Sequence, residues 1–386
     1  MFKKSIFYFR NDLRIEDNIG FINCYENTEN IIPIYIFEND HHKDFILNIL
    51  NNLNKKINIS IYFGNPKDIF LNILDNSDID SIFFNCEYNI YSKIRDNDII
   101  QSIKQKHNIT IQITEDSLLT GITKVLNDKN NYYKNYTKFY NNIKKNKINE
   151  PKQIEIDKNK TILLKSYNFN INKTNRLADR NTMLFLLQKI NKKTKSLSEL
   201  KLSILLTYGL VSVRELFYSI LTFISSNNIH NINLINELYR REFYYYIAFY
   251  DNNFIKKEKI DIKNENFKKW ATSNTNIPIV DAGMKQLNTM GIIDNHMKII
   301  LASYLVKELK VDWRLGEYYF SYKLLDYDII LNNALWQYIN GFDINPSFRY
   351  VNYEIQSKLY DHNCKYIKKY LPKLKNKPNH LIHKMN

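Results

Sequence analysis

The stretch from Ile277 to Gly341 concentrates the residue types that can do chemistry in this chain. It opens with Ile277-Pro278-Ile279-Val280-Asp281-Ala282-Gly283 and continues through Asp294-Asn295 and Asp312-Trp313-Arg314. It closes on Asp326-Tyr327-Asp328-Ile329-Ile330-Leu331-Asn332-Asn333-Ala334-Leu335-Trp336-Gln337-Tyr338. The surroundings are apolar and helix-forming, where an unpaired polar group is costly. Carboxylates accept hydrogen bonds, amides donate and accept them, and indoles pack or give up an electron. Such a set in one helical region predicts partners, and polar residues from Lys298 to Asn333 make most sense around a buried polar ligand.

The elements that must position these residues come in two kinds. Short apolar runs at Ser5 to Phe9, Ile31 to Phe37, Ile59 to Phe63, Ser81 to Phe84 and Ile109 to Ile113 alternate with helical patterns near Ile19 to Tyr25, Asp44 to Leu53, Pro66 to Leu74 and Tyr91 to Gln105. That alternation predicts an α/β domain over residues 1–117, a Rossmann-like five-stranded parallel sheet covered by helices. No Gly-x-Gly-x-x-Gly occurs, so a dinucleotide at the first strand-to-helix turn is not supported. Residues 118–180 are basic and Asn-rich, including Lys144-Lys145-Asn146-Lys147, and read as a connector with solvated charge. Over residues 181–386 the apolar spacing becomes helical, as in Leu216, Ile220, Phe223 and Ile224, which predicts an all-helical domain.

Lys plus Arg outnumber Asp plus Glu by 55 to 40, a net charge of +15 that suits a polyanionic partner. Heavy use of Asn, Ile, Lys and Tyr also has the look of an AT-rich coding sequence, so the charge supports nucleic-acid binding only weakly. Cys24, Cys86 and Cys364 are too widely spaced for a zinc site or a disulfide framework. The apolar run after Lys3 and Lys4 ends at Arg10, too short for a signal-peptide core, and nothing approaches a membrane span. A cytoplasmic monomer without membrane attachment is expected.

Several ordered motifs, spread over nearly the whole chain, are similar to the photolyase and cryptochrome family, most of all to its bacterial class I photolyases of cyclobutane pyrimidine dimers. Phe9-Arg10-Asn11-Asp12-Leu13-Arg14-Ile15-Glu16-Asp17-Asn18 resembles the family's Arg-x-Asp-Leu-Arg-x-x-Asp-Asn. Glu237 to Tyr244, Ile277 to Met284, Leu301 to Trp313, Asp326 to Gln337 and Arg349 to Asn352 match further family segments. The resemblance implies FAD in the helical domain, a second antenna chromophore left open between a folate and a deazaflavin, and DNA containing pyrimidine dimers as partner. It implies light-driven electron transfer from reduced FAD to the dimer and back.

The resemblance also assigns roles. Asn332 matches the position facing the flavin N5, and Asp328 lies at the ring's polar edge; the plain alternative is that Asn332 and Asn333 cap a helix. Asp326 and Lys298 match a carboxylate and an arginine paired beside the flavin, with lysine here unable to make the planar bidentate contact. Lys201, Leu202 and Ser203, with Arg241, fall on the cofactor's phosphate-binding positions. Glu237 and Asn295 match contacts to the dimer's bases, whose carbonyl and imide groups need both donors and acceptors. Arg240 and Tyr338 stand where relatives have aromatic walls around the flipped dimer, and Arg349 is a phosphate contact. Trp336 and Trp313 match the inner two members of the photoreduction relay, although buried tryptophan is more often packing; the outer donor falls near Ile260. Two rival readings are a cryptochrome-like photoreceptor and a degenerate, non-catalytic family member.

Overall fold

The computed structural model describes residues 1–122, 125–126, 131–169, 175–187, 189, 201–227, 233–255, 263–341 and 351–384. They separate into two compact units, one of residues 1–133 and 137–250, the other of residues 134–136 and 251–386.

The first unit contains an all-parallel five-stranded sheet in the order β3-β2-β1-β4-β5. Its strands are β1 Phe2–Phe9, β2 Thr28–Phe37, β3 Ser60–Phe63, β4 Ser81–Asn85 and β5 Thr110–Thr114. Ser5–Phe9 and the whole of β4 are buried without alternation, as in strands covered on both faces. The helices between them are α1 Ile19–Asn27, α2 Lys43–Asn54, α3 Pro66–Asp75 and α4 Ile90–Lys106. Asn18, Asn65 and Asn89 cap α1, α3 and α4 with their side-chain oxygens, and Pro66 opens α3 where its missing N–H has no helical partner to lose. β1 starts at Phe2 rather than Ser5, because the Asp80 carboxylate accepts the Lys3 and Lys4 amides at 2.7 and 2.9 Å.

The expected connector carries structure of its own. It contains α5 Tyr136–Ile143 and short turns at Lys158–Lys160 and Arg176–Ala178, and Ile162 N–H donates to the Ile31 carbonyl beside β2 at 2.7 Å. Lys144, Lys145 and Lys147 are exposed, as a solvated run should be. Next come α6 Arg180–Leu187, α7 Leu202–Thr207, α8 Val213–Asn227 and α9 Asn233–Tyr250, which share the sheet's compact unit. Compactness therefore divides the chain at Tyr250. The divisions 1–117, 118–180 and 181–386 follow sequence character and stand as our proposal for functional domains.

Why the Arg10-to-Asn18 segment has its composition is visible in the first unit. Arg14 pairs with Asp116, while Arg214 near the start of α8 reaches Asp17 at 2.8 Å and Asp116 at 2.9 Å. Ser212 Oγ donates to Asp17 at 2.5 Å, and Asn85 bridges Asp12 and Asn18 at 2.6 and 2.7 Å. These charges are at most 7 % exposed, so removing one partner would strand the other at a cost of ~3–5 kcal/mol.

The second unit is helical: α10 Glu265–Ala271, α11 Pro278–Met290, α12 Asn295–Ser303, α13 Trp313–Lys323, α14 Ile329–Asn340, α15 Tyr353–Tyr360, α16 Lys365–Tyr370 and α17 Asn379–Ile382. α14 packs on both α12 and α13 around Trp270, Leu301, Leu305, Phe320 and Trp336. Gly291 ends α11 with φ +67°, a left-handed cap that glycine adopts without strain. Among the described residues no helix is long and apolar enough to cross a membrane, and no cluster of metal-ligating side chains occurs. All three cysteines are free thiols.

Candidate functional site

Buried polar groups gather where α14 meets its two neighbours. Lys298 on α12 sends its ammonium to both Asp326 oxygens at 3.0 Å, with the side chains 12 % and 2 % exposed. This is a buried pair and not the surface one that sequence alone allows. Two residues on, the Asp328 Oδ1 accepts the N–H groups of Ile330 and Leu331 at 2.9 Å and so caps α14.

With Asp328 as the cap, Asn332 and Asn333 lie inside the helix and are free of capping duty. Asn332 is buried and its amide donates to Glu317 Oε1 at 3.2 Å, where the Tyr327 hydroxyl also donates at 2.8 Å. The Asn333 oxygen accepts from Gln337, which also donates to the Phe254 carbonyl, both at 2.6 Å. Asn333 Nδ2 and Trp336 Nε1 are buried with no hydrogen-bond partner among the described residues. Orphaned donors of this kind are rare in a finished core and fit a polar ligand that completes them.

Trp336 is fully buried and meets Trp270 and Phe320 edge-on, with ring centroids 6.3 and 5.1 Å away. Trp313 opens α13 and is buried, but makes no ring contact among the described residues. Tyr338 is half-buried on α14, and Asn295 is exposed in the first turn of α12, next to the cap Asp294.

The remaining expected residues belong to the first unit. Lys201 adopts a left-handed backbone immediately before α7, Leu202 buries its side chain completely, and Ser203 is half-buried. On α9, Glu237 is half-buried and Arg240 exposed. Arg241 is buried; it donates to the Ser117 carbonyl at 2.7 Å and lies 4.1 Å over the Tyr245 ring. Arg349 and Ile260 lie outside the described residues.

Sequence reasoning passed over Glu317, Gly316 and Glu242. Glu317 organises Asn332, Gly316 makes room for Trp336, and Glu242 accepts the Leu119 and Thr120 amides at 2.8 and 3.1 Å. Burial holds the Glu242 carboxyl above its usual range even against those bonds. The one available signal for Glu242 is its place beside Arg241, just before the apolar and aromatic run from Phe243 to Tyr250.

The chain is similar to known proteins over nearly its whole length. Residues 5–155 match the family model described as DNA photolyase, and residues 234–386 match the FAD-binding domain of DNA photolyase. A deoxyribodipyrimidine photo-lyase of Buchnera aphidicola subsp. Acyrthosiphon pisum is 30% identical, over 99% of this chain and 90% of the relative. That of Buchnera aphidicola subsp. Baizongia pistaciae is 31% identical, over 98% and 91%. Among solved structures, an archaeal photolyase from Sulfolobus tokodaii, crystallised with two FAD molecules, superposes with a TM-score of 0.83 at 28% identity, over 99% of this chain and 93% of the other. A Synechocystis cryptochrome superposes at 0.82 with 21% identity, over 99% and 92%, which speaks for the fold alone. The chain belongs to the DNA photolyase family, and it carries that family's FAD-binding domain.

Proposed function

We propose that this protein repairs cyclobutane pyrimidine dimers in DNA under light. The carrying observation is the buried polar set on α12, α13 and α14 beside Trp336: Lys298 with Asp326, Asn332 with Glu317, and the unpartnered donors of Asn333 and Trp336. Reduced FAD bound to such residues supplies, once excited, one electron that opens the dimer ring and then returns.

In this reading Lys298, Asp326, Asp328 and Asn332 hold the flavin ring, with Lys201, Leu202, Ser203 and Arg241 assigned to the cofactor's phosphates. Because the Leu202 side chain is sealed in the core, it serves through its backbone. Glu237, Arg240, Asn295 and Tyr338 face the lesion. Arg349 and the lysine-rich surface hold phosphates, a sequence-independent term that weakens with salt. Trp336 and Trp313 refill the flavin from within. The protein acts as a cytoplasmic monomer on DNA.

One observation favours a signalling photoreceptor instead: the exposed side chain at the expected lesion wall is Arg240 and not an aromatic ring. A guanidinium stacks on a base face nonetheless. Illuminating purified protein, its flavin reduced beforehand, with an oligonucleotide carrying one dimer decides between them. Dimers split to separate pyrimidines in light, and none split in the dark, are expected; photochemistry without repair supports the photoreceptor.

A further inference from the structure

The neighbours of Trp336 determine where an electron lost from it can be replaced. Its indole meets Trp270 at 6.3 Å with the ring planes at 76°, an edge-on contact within normal aromatic packing range. Trp270 in turn lies 5.6 Å from Tyr319, with planes at 65°. Phe320 touches both indoles, at 5.1 and 5.9 Å, but as a plain benzene ring it bridges them without being oxidised itself.

The series also runs from sealed to accessible. Trp336 and Trp270 are fully buried, whereas Tyr319 is half-buried. The Trp270 N–H donates to the Leu301 carbonyl at 3.1 Å, which fixes the ring inside the core. The Tyr319 hydroxyl, on a half-buried side chain, is shared between Asn288 Oδ1 at 2.6 Å and the Ala271 carbonyl at 2.9 Å, and the Lys323 ammonium stands 5.7 Å from its ring centroid. A cation there opposes positive charge on the ring, so an oxidised Tyr319 sheds its phenolic proton.

We propose that Trp270 and Tyr319 form an electron route that refills Trp336. It rests on the assignment of Trp336 as the flavin's donor and adds residues that assignment does not contain. Trp336 gives one electron to light-excited oxidised flavin, and Trp270 gives one to Trp336. Tyr319 gives one to Trp270 and releases its phenolic proton to water, leaving a neutral tyrosyl radical. An external thiol then returns one electron and one proton to Tyr319 and is left as a thiyl radical, two of which couple to a disulfide.

Transient absorption and electron paramagnetic resonance on the FAD-loaded protein, oxidised and flashed with blue light in the presence of a thiol, test this. The wild type should end on a tyrosyl radical. Trp270→Phe should lose that radical and most of the photoreduction. Tyr319→Phe, which keeps the ring and removes only the hydroxyl, should lose the tyrosyl signal and show a tryptophanyl radical that recombines. Flavin content and melting temperature establish that each variant is folded; should Trp270→Phe fail to fold, Tyr319→Phe decides alone. An undiminished tyrosyl signal in either folded variant overturns the route. Full photoreduction in Trp336→Phe would instead overturn the donor assignment beneath it.

Discussion

Gly316 has no side chain because Trp336 fills the space one would need: a Cβ at Gly316 would come within 2.6 Å of Leu305 Cδ2 and into the indole ring itself. α13 and α14 can therefore pack this closely only with glycine there. Gly316→Ala should force the indole aside and destabilise the protein by ~1–3 kcal/mol, the usual cost of overpacking a finished core. Thermal unfolding and flavin content, measured together, check this. An alanine protein with unchanged melting and unchanged flavin would mean that the indole moves freely.

The pair of Lys298 and Asp326 should behave as a buried ion pair. Asp326→Asn leaves an ammonium that is 12 % exposed without its counter-charge, and breaking such a pair costs ~3–5 kcal/mol. Lys298→Met should cost a similar amount, while Lys298→Met with Asp326→Asn should recover part of the loss, a coupling that a double-mutant cycle measures directly. Chemical denaturation of all four proteins gives the comparison. Strict additivity would place the pair in solvent-like surroundings.

Acid should weaken the first unit through Glu87. Burial on its own raises this carboxyl, but Arg10 and Arg95 overcome it and hold it down at about 2, from 4.5. Arg95 reaches it at 2.7 Å and Arg10 at 3.7 Å. A carboxyl depressed on folding adds stability that is fully present above its unfolded value and disappears as pH falls through the folded one. Stability from Glu87 should thus fade between pH 4.5 and about 2. Glu87→Gln should melt lower than wild type at neutral pH and show a shallower decline across that window. Parallel declines would assign the acid sensitivity to other carboxylates.

Much of this organisation is legible in the sequence, and physics explains which parts are not. The five strands show because each is a short apolar run bounded by turn residues, and the sheet buries both faces of its centre. α6 to α9 show as helices, but helical spacing says nothing about what a helix packs on, and these four share the sheet's compact unit. Lys298, Asp326 and Asn332 stand out as polar residues in apolar surroundings. Glu317 does not, because Trp313–Lys323 mixes polar and apolar residues throughout and its partners Tyr327 and Asn332 belong to later segments. Asp328 reads as a ligand contact and Asn332 or Asn333 as the plain alternative for a cap, whereas it is Asp328 that caps α14, because its carboxylate lies within reach of the Ile330 and Leu331 amides. The approach of Trp270 to Trp336 is a tertiary fact that no local pattern encodes.

Glu237 and Asn295 separate lesion binding from cofactor binding. Glu237 is half-buried on α9, one turn before Arg241, whose guanidinium is already engaged by the Ser117 carbonyl. Asn295 is exposed in the first turn of α12, while Lys298, one turn further on, points into the buried pair with Asp326. Truncating either residue therefore leaves the flavin-side polar set intact. Glu237→Ala and Asn295→Ala should each lower dimer binding more than flavin content. Affinity for dimer-containing DNA should fall about tenfold or more in Glu237→Ala, since losing a hydrogen bond to a charged group costs ~1.5–3 kcal/mol, and by a few-fold in Asn295→Ala. For Glu237 that loss should be larger than for the neutral amide Asn295. Binding titrations against damaged and undamaged duplexes at one fixed salt concentration measure the effect, because phosphate contacts alone would weaken both duplexes equally. If flavin is lost in step with DNA affinity, these two residues support the fold or the cofactor and the lesion assignment is wrong.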